Sequence, residues 1–228
     1  MGGGGRSGWP EVPSLSSDQP VERMPEAIEH LRSADPRLAE LIDRLGDLGE
    51  RGRTRGRPPD AYGALLRSII GQQLSSKAAY SIYTRFLELF DGRTPTPAEL
   101  LAEDPERIRG VGLSRPKVAY MRDLAGKVES GELEIDRMEA LPDEEVIREI
   151  VAVKGLGRWS ADMFLIFHLK RPDVLAVGDL GLRKAAAELY GLEEMPDAET
   201  FERLGERWRP HRTLACLYLW RSLDNEPA

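Results

Sequence analysis

From Asp35 to Leu223 the apolar residues recur three and four positions apart almost without a break, and no stretch shows the alternation of a half-buried strand. That regularity leaves packed helices as the architecture open to the chain. DPRLAELIDRLGDLG begins with Asp35 where an N-cap is wanted, sets Pro36 at the first helical position and stops at glycine. DAYGALLRSIIGQQ repeats the plan, with Asp60 as cap and Leu65, Leu66, Ile69 and Ile70 on one face. SSKAAYSIYTRFLELFDG spaces Ala78, Ala79, Ile82, Tyr83, Phe86 and Leu87 in the same way and ends just before Gly92. TPAELLAE, SRPKVAYMRDLAGKVESG, PDEEVIREIVAVKG, GRWSADMFLIFHL, DLGLRKAAAELYG, DAETFERLGERW and RPHRTLACLYLWRSL complete the set. VLAV, residues 174 to 177, is the one extended-looking piece, so the expected fold class is all-α.

Composition narrows the function classes. The 228 residues suffice for two modest lobes, and 41% hydrophobic with 31% charged content is that of an ordinary globular chain. No apolar run approaches the roughly 18 residues of a spanning helix, and MGGGGRSGWPEVPS lacks the apolar core of a signal peptide. An intracellular setting is expected, cytoplasm and nucleoid or a eukaryotic nucleus, with no membrane partner. A single cysteine, Cys216, excludes an internal disulfide, an all-Cys iron–sulfur cluster and a Cys-based zinc finger, and His30, His168 and His211 are too scattered to suggest a metal site. The net charge of −7 weighs against nucleic acid as a partner, because Lys and Arg drive phosphate binding. The charge is unevenly spread: acids crowd ELLAEDPE and LPDEEVIREI, whereas RGRTRGR gathers Arg51, Arg53, Arg55 and Arg57 in a stretch that, alone, reads as a solvated linker. Residues 1 to 24 are Gly, Ser and Pro rich, a disordered tail by composition, and about thirty largely polar residues precede the first strong helix.

The chemistry concentrates in VKGLGRWSAD, residues 153 to 162. Gly155 and Gly157 can take positive φ, so the chain can reverse and present backbone N–H groups at the start of the next helix, an arrangement that binds anions. Ser160 would add a hydroxyl, and Lys154 a charge, to a phosphate held there. On the glycines alone, an interhelical turn that binds nothing explains the pattern equally well. IRGVGLSRPKVAYMRDLA echoes the Gly-x-Gly arrangement between a short helix and a longer one. About twenty residues past the hairpin, Asp179 in RPDVLAVGDLGLRKAA is set to cap a helix, the commonest fate of such an Asp.

Taken together and in order, IIGQQLSSKAA, VKGLGRWSADMFLIF, LAVGDLGL and WRPHRTLACLYLW resemble the helix–hairpin–helix superfamily of DNA base-excision glycosylases over residues 35 to 223, and within it the 3-methyladenine DNA glycosylase II branch, in a minimal form without an N-terminal β-domain. The resemblance implies a two-lobed all-helical fold with the active-site cleft between the lobes. The segments then divide into a tail (1–24), a lobe of terminal helices (25–58 with 172–228) and a central lobe (59–171) ending in the hairpin. It implies that Asp179 is the catalytic carboxylate, that double-stranded DNA containing damaged bases is the partner, and that the protein acts as a monomer without a required cofactor.

The resemblance also assigns further roles. Bifunctional members carry a lysine nucleophile directly after Gly-x-Gly-x, where this chain has Trp159; without that amine no Schiff base forms there, which implies hydrolysis. A carboxylate can stabilise an oxocarbenium-like sugar and orient water, and an alkylated purine, already cationic, leaves without a general acid. The expected substrates are 3-methyladenine and 7-methylguanine, with deaminated or oxidised bases, or a non-catalytic damage-binding module, as alternatives. Trp159, Trp220 and Tyr62 are candidate walls for the flipped base, though Trp220 and Tyr62 equally suit plain core packing. Met163 stands where a relative in this branch has an aromatic residue. Gln73, with Leu74 second, is the candidate inserting residue in the IIGQQLSS turn, and Ser114 or Arg115 in the echo hairpin the candidate contact to the opposite strand. The hairpin of the family also holds a Na+ or K+ ion through backbone carbonyls, which here would be those of Val151, Val153 and Leu156.

Overall fold

Side-chain caps set most of the helix starts. In the computed structural model, which describes residues 24–46, 48 and 60–223, the expected caps are in place. Asp35 accepts from the Arg37 and Leu38 amides, Asp60 from Gly63 and Asp179 from Leu182. Ser75, Ser114 and Asp197 cap in the same way, and Thr96 forms a reciprocal capping box with Glu99. Each such cap supplies about 1 kcal/mol of helix stability.

The described residues form α1 (Met24–Ala34), α2 (Pro36–Leu45), α3 (Ala61–Gly71), α4 (Ser76–Glu88), α5 (Pro97–Ala102), α6 (Pro105–Gly110), α7 (Arg115–Glu129), α8 (Asp143–Val151), α9 (Arg158–Phe167), α10 (Leu180–Tyr190), α11 (Ala198–Gly205) and α12 (Arg212–Leu223), with 3-10 turns at Ile135–Ala140 and Glu206–Trp208. No strand occurs among them, so the chain is all-α as expected. VLAV is buried at Val174, Leu175 and Ala176 without entering a sheet. Before α2, α1 forms because Ala27 and Leu31 line up one helical turn apart and are buried at 7% and 0% exposure. The N-terminal tail before Met24 and the RGRTRGR segment lie outside the described residues.

The helices group into two units, and the division falls inside α9 between Phe164 and Leu165. In the first, described over residues 60–164, α7 is the central element: α3, α5 and α6 all pack on it, and α3 also packs on α4. Leu65, Leu66, Ile69 and Ile70, the apolar face read from α3, are all fully buried, each worth about 1.5–3 kcal/mol.

In the second unit, described over 24–46, 48 and 165–223, α12 packs on α1, α2 and α10. Its polar centre is Asp35, only 1% exposed. One carboxylate oxygen caps α2, while the other accepts from Trp208 Nε1 at 2.9 Å and from the Tyr190 hydroxyl. Burial and the adjacent Asp35 charge push the Tyr190 phenol well above its ordinary pKa, which keeps it a donor.

Candidate active site

The segment that carries Asp179 is strapped to the start of α12. The Thr213 hydroxyl donates to the Arg171 carbonyl at 2.6 Å and accepts from the Val174 amide at 3.0 Å, while the Thr213 amide donates to Pro172 O at 3.1 Å. Arg212 and Arg209 both close ion pairs on Asp173, at 2.8 and 2.6 Å. The extended run enters no sheet: α12 meets its first residue, Val174, and the Leu175 and Ala176 carbonyls accept locally from the Val177 and Asp179 amides, each at 2.9 Å. The chain then turns through an Asp179 N–H to Ala176 O bond of 2.9 Å and enters α10.

Asp179 therefore does cap a helix, and it does more. Its Oδ1 accepts from the Leu182 amide at 2.8 Å and from Trp220 Nε1 at 3.1 Å. Two donors on one oxygen, one from α10 and one from α12, fix the plane of the carboxylate at the positive end of a helix. Trp220 is in turn stacked on Phe167, centroids 5.5 Å apart at 26°. Half-buried Trp220 thus belongs beside Asp179 rather than to the anonymous core. Gly181 lies close by: a Cβ there would stand 3.1 Å from Asp179 Oδ1, a tight contact, and an ordinary 3.7 Å from Trp220 Cδ1. Neither Phe167 nor Gly181 is singled out by residue type or spacing, although the VGDLGL spelling contains the second.

The hairpin lies in the first unit, between α8 and α9. Of its two glycines only Gly155 adopts positive φ, at 78°, and a Cβ there would fall within the Tyr120 ring of α7. Gly157 has no heavy atom near its missing Cβ and does not take positive φ, so the two glycines are not equivalent as their spacing suggests. The Lys154 amide donates to Asp123 Oδ2 at 3.0 Å and its ammonium lies 3.5 Å from Asp123 Oδ1, with the side chain 76% exposed. Ser160 is only 3% exposed, because it faces inward on the first turn of α9. A hydroxyl buried to that degree does not reach a solvent-side phosphate, so any contribution of Ser160 comes from its backbone. Trp159, the next residue outward, is 41% exposed.

The remaining candidates are spread over several elements. Gln73 and Leu74 are both exposed in the α3–α4 turn, and Gln73 holds the left-handed φ of 57°. Tyr62 is buried at 8% exposure, its hydroxyl has no hydrogen-bond partner, and burial with the nearby Asp60 and Glu129 charges raises its pKa strongly. Met163 is half-buried on α9. Ser114 spends its hydroxyl capping α7, on the Lys117 amide at 3.4 Å, and is exposed together with Arg115. Asp162, fully buried, receives Arg158 Nε at 3.0 Å on one oxygen while the other has no partner; burial raises its pKa against the lowering pull of Arg158. The Val153 carbonyl already accepts the Leu156 amide at 3.1 Å, which leaves its second lone pair for a cation. Val151 ends α8 and is exposed, whereas Leu156 is buried. Among the described residues no cluster of His, Cys, Asp and Glu could hold a metal ion, and no helix is long and apolar enough to cross a membrane.

The chain is similar to known proteins in sequence and fold. The profile of the HhH-GPD superfamily base excision DNA repair proteins matches residues 66–210. DNA-3-methyladenine glycosylase 1 of Schizosaccharomyces pombe is 33% identical over 204 residues, 89% of each chain. The solved structure of the 3-methyladenine DNA glycosylase of that yeast in complex with abasic DNA superposes with a TM-score of 0.80 at 33% identity, covering 87% of this chain and 97% of that one. The crystal structure of a DNA-3-methyladenine glycosidase from Bacillus halodurans gives 0.77 at 36% identity over 92% of each chain. With two units of capped helices, a glycine hairpin leading into α9 and a family match across most of both, the chain belongs to the HhH-GPD superfamily of base excision DNA repair proteins.

Proposed function

We propose that the protein is a monofunctional DNA glycosylase that extrudes alkylated purines from duplex DNA and hydrolyses their N-glycosidic bond in base excision repair. The observation that carries this reading is the Asp179 carboxylate, fixed by Leu182 N–H and Trp220 Nε1–H at the head of α10 in a chain of this family. The names of the relatives, DNA-3-methyladenine glycosylases from yeast and bacteria, support alkylated bases as the substrate class.

The chemistry follows from the charges. As the bond from C1′ to the base nitrogen breaks, the electron pair leaves with the base and positive charge grows on the sugar; the oriented Asp179 carboxylate stabilises that charge and receives the proton of the attacking water. A purine methylated on a ring nitrogen departs neutral from a cationic state, so no proton donor is needed at the leaving group. The exposed Trp159 indole and the Trp220 ring offer π faces to which a cationic base is attracted. Gln73 at the tip of the α3–α4 turn fills the gap left in the helix, with Leu74 beside it, and the Gly155–Gly157 hairpin with Lys154 holds the strand by its phosphates. A Na+ or K+ ion on the carbonyls of Val151, Val153 and Leu156 would add positive charge beside a phosphate, and no step depends on it.

Free-base analysis of methylated duplex DNA tests the reading. The protein is expected to release 3-methyladenine and 7-methylguanine, and borohydride added during turnover is expected to trap no protein–DNA adduct, because Trp159 offers no amine. Binding without base release would favour a damage-binding module, and a trapped adduct would contradict hydrolysis.

A further inference from the structure

The α3–α4 turn and the glycine hairpin, distant in sequence, are fastened to each other and to one face of α7. Lys117 of α7 sends its ammonium to the Ile70 carbonyl at 2.8 Å, in the last turn of α3, and to the carbonyl of Gln72, just past its end, at 2.7 Å. Gln72, already in the turn, donates through Nε2 to the Gly155 carbonyl at 2.7 Å, across 83 positions of sequence. One turn along α7 from Lys117, the Tyr120 ring lies against Gly155, and one turn further Asp123 takes the Lys154 amide. Lys117, Tyr120 and Asp123 stand three residues apart and so share a helix face.

The consequence falls on the residue at the tip. Gln73 holds φ of 57°, a left-handed conformation that a non-glycine residue keeps only where the surroundings impose it. Its neighbour Gln72 is anchored at both ends, carbonyl to Lys117 and side chain to Gly155. Lys117 is half-buried and its ammonium is pushed below its ordinary pKa by desolvation, yet both carbonyls it meets lie at the end of a helix, where a cation is favoured.

Resting on the functional reading above, we infer that Lys117 and Gln72 are positioning residues that lock the intercalating turn in register with the phosphate-gripping hairpin. Neither need touch DNA. A turn prepared in this way meets the helix in its inserting shape, so the ordering cost is met during folding and not during base extrusion. Duplex substrate requires that insertion, whereas a base in single-stranded DNA is already unstacked.

Lys117→Met and Gln72→Ala test the inference, with Lys117→Arg as the conservative variant. Each full-length protein is titrated against a duplex holding a tetrahydrofuran abasic analogue beside 2-aminopurine, whose fluorescence rises when an inserted side chain unstacks it. Base release from methylated duplex is compared with release from the same strand alone. The expected results are a fluorescence rise reduced at saturating protein, and a loss on duplex of about tenfold or more for Lys117→Met, the weight of one charge-assisted hydrogen bond, and of about two- to tenfold for Gln72→Ala, the weight of a neutral one. Release from the single strand should stay within about twofold, by the same reasoning that no insertion is needed there, and Lys117→Arg should recover part of the duplex rate. Equal losses on both substrates, or unchanged fluorescence and unchanged duplex rates in Lys117→Met and Gln72→Ala, would overturn the inference. Should Lys117→Met fail to fold, Gln72→Ala decides it alone. The fluorescence arm needs no turnover: wild-type protein that unstacks the reporter but releases no base would count against the glycosylase reading, with a smaller rise in Lys117→Met and Gln72→Ala still supporting the locked turn, and one that leaves it stacked would contradict an inserting turn altogether.

Discussion

At the scale of single residues, the informative side chains are those that another group depends on. Trp220 is the clearest. Its indole N–H holds Asp179 Oδ1 at 3.1 Å while its ring rests on Phe167. Trp220→Phe keeps an aromatic ring but removes the donor, and a hydrogen bond to a charged group is worth about 1.5–3 kcal/mol. Steady-state kinetics on methylated DNA are therefore expected to show kcat lowered about tenfold or more, at about 1.36 kcal/mol per factor of ten, with KM changed less than kcat. An unchanged kcat would mean that the bond does not orient the carboxylate. Much of this scale is readable in the sequence: Asp179 as a cap, Trp159 beside the hairpin and Gln73 at a turn all follow from spacing and residue type. What escapes is whatever depends on a partner far away in the chain. Gly155 needs to be glycine because of the Tyr120 ring, and Gly181 leaves room beside the Asp179 carboxylate, whereas Gly157, close to the first, has no such neighbour. Periodicity likewise does not show that Ser160 points inward.

At the scale of elements, the caps and apolar stripes are legible because each is written within a few residues. Asp35, Asp60 and Asp179 all start the helices expected of them. The less regular pieces are not: α1 mixes polar and apolar residues and buries Ala27 and Leu31, and the six-residue α6 carries a single buried apolar side chain, Ile108. VLAV resembles a strand because it is buried, yet it pairs with no strand, and the chain leading into it is fastened to α12 by Thr213 and by the Arg212–Asp173 pair. Asp35 illustrates a cap whose second function the sequence conceals. Its substitution by Ala removes a cap worth about 1 kcal/mol and strands the buried donors of Trp208 and Tyr190, at about 1–3 kcal/mol each. The sum, about 3–7 kcal/mol, corresponds to a thermal midpoint lower by roughly 6–28 °C for a chain of this size. Thermal unfolding followed by circular dichroism measures it, and a fall of under about 2 °C, less than about 1 kcal/mol on the same scale, would show that Asp35 is not the centre of the second unit.

At the scale of the whole molecule, a net charge of −7 sits beside membership in a DNA-repair superfamily. Several cations close to the hairpin are engaged by acids of the protein itself, Arg158 with Asp162 and Glu144, Lys154 with Asp123. A grip built from backbone amides at a helix start needs fewer lysines and arginines than a basic patch does, and amide dipoles do not enter the net charge. The central proposal is that the Asp179 carboxylate carries base release. The direct measurement is free-base release from methylated duplex DNA by the wild-type protein and by Asp179→Asn, alongside binding of both to an abasic-analogue duplex. Asn keeps the shape and can still cap α10, so folding and binding should persist while release falls by roughly 10²–10³-fold, as when one electrostatic stabiliser is removed from a transition state. Release from Asp179→Asn at the wild-type rate would contradict the assignment of Asp179 as the catalytic residue.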